Sequence, residues 1–233
     1  MIEPAGTIKI WQGRSRFNGE DISAYLTHGK TKNRKTGDIP QVWILSDAMS
    51  PTDAVASGDD RAVCHLCEYS WYRRKITGSK IKCYVLPFAA PRSIWVSSRH
   101  NSVSSWRDYA PIIKGRVLRL GAYGDPCAVP ISVWYKMRSV GLKRMLAYTH
   151  QWHLKANQRY RSICLASTTP DNRAHAIALG WKTFTTVPKG TDYDKPCLCP
   201  ASKTSPHYGT VTCRTCGLCD PNVESEHPWL DAH

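Results

Sequence analysis

The chain lacks any apolar run approaching the ~18 residues of a membrane span. Its opening, Met1-Ile2-Glu3-Pro4-Ala5-Gly6, has neither the basic start nor the apolar centre of an export signal. The expectation is a cytoplasmic protein with no membrane partner. The dinucleotide fingerprint G-x-G-x-x-G is missing, and so is the Walker phosphate loop, which argues against the two commonest nucleotide cradles. Acidic side chains are scarce: 18 Asp and Glu stand against 32 Lys and Arg, a formal charge of +14. Such an imbalance attracts polyanions, so nucleic acid or a nucleotide is the expected partner. The bland alternative is a well-solvated surface, since single basic runs such as Arg73-Arg74-Lys75 or Lys143-Arg144 often mean no more than that.

Cysteine, by contrast, is plentiful, with 10 residues. Cys64 and Cys67 form a C-x2-C pair, followed by Cys83. Near the C-terminus Cys197-Leu198-Cys199-Pro200 precedes Cys213-x2-Cys216-x2-Cys219. In a reducing compartment, clustered thiols usually hold metal rather than each other. Cys64, Cys67 and Cys83 form a first candidate site. Three thiolates leave one iron of a 4Fe-4S cluster open, and His65, His100, Cys127 and Cys164 are the candidate fourth ligands for a closed site. Cys199, Cys213, Cys216 and Cys219 form a second. Three cysteines at successive x2 spacing resemble ferredoxin loops, with Gly217 permitting the tight turn between ligands. Zinc is the alternative metal at either site, and a purely structural staple is the bland reading of both. Cys127 and Cys164 read as buried small apolar residues.

Residues 1–40 read as an irregular basic arm, 41–190 as the α/β body, and 191–233 as a small cysteine-rich metal-binding module. A strand is expected at 42–45, and a helix after Ser50-Pro51, where Ser caps and Pro takes the first turn. Further strands are expected at 81–86, 116–121, 144–149, 162–167 and 182–187. Helices are expected at 91–100, 104–114, 130–140, from about 152 to Tyr160, and 171–178. Strand and helix alternate at βαβ spacing, which implies a mostly parallel sheet. The fold class is α/β. A partial (β/α) barrel is preferred and an open doubly wound sheet is the competitor.

Ligands of such folds gather at the carboxyl ends of strands. Gly121, Tyr123 and Gly124 in the turn 121–126, together with Thr149, are the candidate cofactor-binding residues there. Asp125 and His150 are the candidate catalytic residues. An ordinary βα turn is the competing explanation of the glycines.

The chain resembles an uncharacterised bacteriophage protein family over roughly His28 to Asp220. The resemblance is carried by His28-Gly29-Lys30-Thr31, Val42-Trp43-Ile44-Leu45, the C-x2-C with Cys83-Tyr84-Val85, the segment Arg119 to Pro126, Tyr148-Thr149-His150-Gln151-Trp152, and Cys199-Pro200-Ala201-Ser202 with the final C-x2-C-x2-C. More remotely it is similar to phage relatives of the radical S-adenosylmethionine superfamily. That similarity implies a partial barrel, one or two 4Fe-4S clusters, S-adenosylmethionine as cofactor and a bacterial host cytoplasm. The chain departs from the superfamily's C-x3-C-x2-C: its first pair is x2, and residues 68–82 separate Cys67 from Cys83. No Gly-Gly-Glu segment follows. The expected function is an iron–sulfur enzyme acting on nucleic acid or a nucleotide. A non-enzymatic, metal-stapled nucleic-acid-binding protein is the runner-up, and a phage protein that binds a host protein through its Trp and Arg side chains is the third reading.

Overall fold

A computed structural model describes residues 6–29, 35–78, 83–187, 197–224 and 227–231. The body is mixed α/β, with its strands in two sheets. The first has the order β1 (Gly6–Arg14), β2 (Asp21–His28), β3 (Gln41–Ser46), β4 (Val117–Arg119), β5 (Arg144–Leu146). The β1–β2 and β2–β3 pairs are antiparallel, and β3–β4 and β4–β5 are parallel. The second sheet has the order β6 (Tyr148–Thr149), β7 (Leu165–Thr168), β8 (Thr183–Val187), β9 (Trp229–Asp231), all parallel. Among the described residues the strands do not close into a hydrogen-bonded barrel. The sheets are nevertheless adjacent, because only Ala147 separates β5 from β6. The Leu146 carbonyl accepts from Leu120 N, and the Ala147 carbonyl accepts from Leu165 N.

The expected irregular arm is instead a pair of strands. Ile22, Ala24, Tyr25 and Leu26 of β2 are completely buried, and Ile10 of β1 is buried beside them. Alternation of Ile8 and Ile10 with polar residues is what a half-buried strand needs, whereas β2 is buried on both faces from Ile22 to Leu26; the Gly, Lys and Thr content of the segment masks both. Residues 30–34, which carry Lys30, Lys32 and Arg34, lie outside the described residues, as do 79–82 and 188–196. The strand expected at 81–86 therefore falls partly outside them, and 83–86 run as coil and bend.

The helix expected after Ser50 forms as α1 (Pro51–Ser57). The Ser50 side chain accepts from Asp53 N, and Gly58 at φ 68° ends it. Short helices α2 (Arg61–Cys64) and α3 (Trp71–Thr77) follow, then α4 (Ala90–Ser98), α5 (Trp106–Ile113), α6 (Ile131–Arg138) and α7 (Pro170–Ala178). The segment Lys155–Ser162 is a 3-10 helix.

One face of the sheets carries the main core. Leu118, Leu120, Met145, Ala147 and Ala166 pack there against Ile113 of α5 and Trp134 and Met137 of α6. Burying a large apolar side chain of this kind contributes roughly 1.5–3 kcal/mol. The opposite face is different. Val117 and Leu146 join Ile39 in a small second cluster against Cys213 and Cys219. Because strand side chains alternate, Arg119 and Tyr148 share the face of Val117 and Leu146. The cysteine-rich module therefore covers one face of β4, β5 and β6 while the helices cover the other.

Candidate metal centres

The C-terminal centre is assembled by short-range geometry. The helix α8 (Cys213–Cys216) is opened by a Thr212/Thr215 capping box and ended by Gly217 at φ 86°. That left-handed glycine turns the chain so that Cys219 comes back alongside Cys213 and Cys216. Cys199 arrives separately. Its N–H donates to the Trp229 carbonyl at 2.7 Å, which ties it to β9. The module is pinned to the body by Cys213 N to the Lys35 carbonyl (2.8 Å), Arg144 Nη2 to the Arg214 carbonyl (2.6 Å) and Lys182 Nζ to the Asp220 carbonyl (3.1 Å).

Cys199, Cys213, Cys216 and Cys219 line one cavity of about 20 Å³, floored by Leu146 and Pro228. That is room for one water-sized guest. Burial pushes the Cys199, Cys213 and Cys219 thiols up. Several groups pull the other way, favouring thiolate. Arg119 and Lys35 act on Cys213, and Lys35 also acts on Cys199. The amides of Ala201 and Ser202 hydrogen-bond Cys199, and the Tyr148 side chain hydrogen-bonds Cys219. Lys182 feels Cys219, Cys197 and Cys216. Cations and N–H donors around sulfur are the surroundings that a metal–thiolate core requires.

The first centre sits at the carboxyl ends of the parallel strands. Cys64 ends α2, Cys67 follows a turn closed by Cys67 N to the Cys64 carbonyl at 3.0 Å, and Cys83 lies in the loop before α4. Cys67 and Cys83 both act electrostatically on Cys64, so the three thiols share one neighbourhood. The amides of Tyr69 and Val85 hydrogen-bond Cys67 and Cys83, each two residues on from its sulfur. Between the pair, His65 has φ 49°, the one non-glycine positive φ among the described residues, and its ring stacks on Phe17 at 4.9 Å. Holding such a conformation costs on the order of 1–3 kcal/mol. Asp60 fixes the following helix, accepting from Trp71 N (2.9 Å) and Tyr72 N (3.0 Å).

The other expected site residues surround this centre, with distinct roles. Asp125 is buried and accepts from Cys127 N, Thr149 Oγ1 and His150 N, each at 2.9 Å. It joins the turn after β4 to the end of β6. Burial still pushes it up to about 6, against the pull of those donors. Thr149 is thereby committed to Asp125. A side chain on Gly121 would meet the Gly124 carbonyl oxygen at 2.7 Å, and one on Gly124 would meet the Ile44 carbonyl oxygen at 2.7 Å. Both glycines thus have a packing reason within the chain itself.

His150 lies 3.8 Å from Glu68 and edge-on to Tyr69. A fifth of its side chain still reaches solvent, yet it is packed densely enough that burial pushes it down to about 4. It is therefore neutral at pH 7, and its approach to Glu68 is not an ion pair there. Tyr123 OH and Gln151 Oε1 are buried without a hydrogen-bond partner. Both belong to this centre: Tyr123 is within electrostatic reach of Cys64 and Cys83, and Gln151 Nε2 donates to the Cys64 carbonyl at 3.2 Å.

Of the candidate fourth ligands, Cys127 and Cys164 are fully buried in the main core, as their apolar reading implies. His100 is exposed just after α4. Sequence reasoning did not assign Arg119, Tyr148, Lys35, Lys182, Glu68 or Tyr69 to a site. For Arg119 and Tyr148 the available signal was parity along the strands with Val117 and Leu146.

Among the described residues no three Cys, His, Asp or Glu side chains stand in closed metal-ligating geometry. The thiols share a cavity and a field without being drawn in to ligating distance. Among the same residues no helix is long and apolar enough to cross a membrane. Compared with protein-family models, curated proteins and solved structures, the chain matches none.

Proposed function

We propose that this protein is an iron–sulfur protein with two thiolate centres, the first of them a ligand-binding centre of a divergent radical S-adenosylmethionine-type phage enzyme acting on nucleic acid or a nucleotide. The observation that carries the metal reading is the convergence of Cys199, Cys213, Cys216 and Cys219 on one cavity, with Lys35, Arg119 and Lys182 within electrostatic reach of its thiols. Such a set has no comparable use in an apolar core, where burial alone would keep each thiol protonated. The C-x2-C-x2-C loop suits a cubane better than two separated pairs would. On this reading the two adjacent sheets act as a partial barrel, with the module seated against one face.

Cys64, Cys67 and Cys83 would hold the first cluster, and S-adenosylmethionine would supply one-electron chemistry when bound there. The chain's own groups fit a polar guest at that centre. Tyr123 OH is a free donor and Gln151 Oε1 a free acceptor, both buried beside Cys64. A buried polar group without a partner costs about 1–3 kcal/mol, so a ligand that pairs both would recover that cost. Asp125 positions His150 through its N–H, and His150 stays neutral beside Glu68 and Tyr69. Its neutral ring can accept a hydrogen bond from a guest, while burial leaves it a weak base at neutral pH.

A second reading has one observation in its favour. The C-terminal cavity, at about 20 Å³, suits a single ion, as in a zinc-stapled nucleic-acid-binding protein. Anaerobic purification followed by iron, sulfide and zinc analysis separates the two. Brown protein with broad absorption near ~400 nm supports the first reading. Colourless protein with stoichiometric zinc overturns it. Cys216→Ala should remove one centre, whereas Cys127→Ala and Cys164→Ala should leave metal content unchanged. Addition of S-adenosylmethionine should perturb the paramagnetic resonance of the reduced wild type, and Cys83→Ala should abolish that effect.

A further inference from the structure

Acidic residues are spread unevenly along the chain. None occurs in 69–107 or in 126–170, where the average density would place about three in each. In the first stretch the cations are held singly. Arg74 lies over the Trp71 ring and Arg99 over the Trp95 ring, each at 4.3 Å, and Lys75 Nζ donates to the Ser57 carbonyl at 2.9 Å. The second stretch gathers its cations on two adjacent elements. The period of three in the 3-10 helix Lys155–Ser162 turns Asn157 and Tyr160 inward and leaves Lys155, Arg159 and Arg161 exposed. Beside it α6 buries Trp134 and Met137 and exposes Lys136 and Arg138. The two elements are joined by Tyr135 OH with Ser162 Oγ at 3.1 Å and by Arg138 Nη1 to the Ser162 carbonyl at 3.2 Å. Arg161 is set by its Nε on the Gln158 carbonyl (3.0 Å) and its Nη1 on the Leu179 carbonyl (2.6 Å).

Among the described residues none of these five cations forms an ion pair. The carbonyls orient two guanidiniums without neutralising them, and Nη2 of each is left without a protein acceptor. Like charges gathered without carboxylates repel one another, and an outside anion relieves the repulsion. That anion is extended. At ~2.0 Å per residue the 3-10 helix spans about 16 Å, the length of about five phosphates along one duplex strand at ~3.4 Å each. A mononucleotide would cover only part of it. Binders of single strands add exposed rings on which bases stack. On these two elements Trp134 and Tyr160 are buried, and the exposed ring of Tyr135 is tethered through its hydroxyl.

We propose that α6 and the 3-10 helix form a face that binds the phosphate backbone of a nucleic-acid duplex, with Lys136, Arg138, Lys155, Arg159 and Arg161 as its contacts. This rests on the nucleic-acid part of the functional reading and is independent of the metal part. Contacts to phosphate fix position and orientation and carry no sequence information. One end of the face is tied to the first centre: Asn157 Nδ2 donates to the Gln151 carbonyl at 3.1 Å, and Gln151 Nε2 donates to the Cys64 carbonyl at 3.2 Å. A duplex seated there is held beside that centre.

The probe is a fluorescein-labelled DNA duplex of about 20 bp, read by anisotropy across ~50–200 mM salt, with one of its strands alone as the comparison. Lys136→Gln, Lys155→Gln and Arg159→Gln are combined in one variant. All three side chains are exposed and hydrogen-bond no protein group among the described residues, so the fold should not depend on them. Each lost phosphate contact takes about 0.9 from the slope of log affinity against log salt, and the triple variant should flatten it by about 2.7. Arg73→Gln, Arg92→Gln and Arg107→Gln together remove the same charge from the other acid-free stretch and should leave the slope nearly unchanged. An unchanged slope in the first variant, or equal flattening in the second, overturns the assignment of the face. In the wild type, a single strand bound as tightly as the duplex overturns the duplex as partner. Wild type that binds neither at ~50 mM salt refutes the nucleic-acid reading itself, an outcome distinct from binding that ignores this face.

Discussion

Replacing Gly124 by alanine asks whether the glycine-rich turn exists for the chain or for a ligand. Gly124 has φ +81°, and a Cβ built there falls 2.7 Å from the Ile44 carbonyl oxygen and 2.8 Å from Ile44 Cβ. Ile44 cannot yield easily. It is completely buried in β3, and its N–H donates to the Tyr123 carbonyl at 2.9 Å. Gly141 supplies the control, because at φ +83° its Cβ would meet nothing within 4 Å. Left-handed backbone costs an L-residue roughly 1–2 kcal/mol, and removing glycine's freedom in the unfolded chain returns about 0.4–1 kcal/mol. Gly141→Ala should therefore destabilise by about 1 kcal/mol. Gly124→Ala carries the same strain plus an overlap with fixed backbone, worth roughly 1–3 kcal/mol more. Urea unfolding of both variants and wild type, at unchanged m-value, measures the difference. Equal losses within about 0.5 kcal/mol, the usual scatter between independent sites, would refute the packing account. If Gly124→Ala then lost ligand binding alone, the turn would be reserved for close approach of a cofactor.

Much of the fold could be read from the sequence because its signals are local. Ser50 and Pro51 announce α1, and the Ser50 side chain does accept from Asp53 N. The apolar run at 42–45 is the centre of β3, and Gly141 and Gly180 each follow a helix in left-handed backbone at φ 83° and 77°. What escaped reading was non-local. Residues 6–14 look polar and irregular because half of a two-sided strand is polar, and only pairing with β2 and β3 gives Ile10 and Ile22 something to bury against. Strand 144–149 reads as one element, yet it changes partners at Ala147, from β4 to β7. No spacing along the chain announces such a change.

The candidate centres divide in the same way. Thiol spacing within 213–219 is a local property, and the structure brings those sulfurs to one cavity with Cys199. The field around them comes from distant parts of the chain: Lys35, Arg119, Tyr148 and Lys182 belong to different strands and loops. Asp125 shows how a residue type can mislead. A carboxylate at a strand end suggests catalysis, but both of its oxygens are taken by donors from Cys127, Thr149 and His150. Those bonds make it a brace between two loops, a role visible only once the partners are in place.

Two further expectations follow from charge. If the excess of Lys and Arg serves nucleic acid, binding should be present at ~50 mM salt and fall steeply by ~200 mM; affinity absent at the lower salt, or unchanged across that range, refutes it. Asp125 predicts a pH dependence of stability whose sign is fixed by its environment. Burial raises it from 3.8 to about 6, so the folded protein prefers the protonated form. Its stabilising contribution is fully present below about 3.8 and is lost as pH rises through about 6. At ~1.36 kcal/mol per pH unit the span is about 3 kcal/mol. Asp125→Asn cannot titrate, so every other group cancels when the variant is subtracted from wild type. Urea unfolding of metal-free protein from pH 4 to 7 should therefore show the wild type losing stability relative to Asp125→Asn as pH rises. A flat difference would mean that the amides of Cys127 and His150 and the Thr149 hydroxyl hold the carboxylate ionised, and that it braces the two loops as an anion throughout.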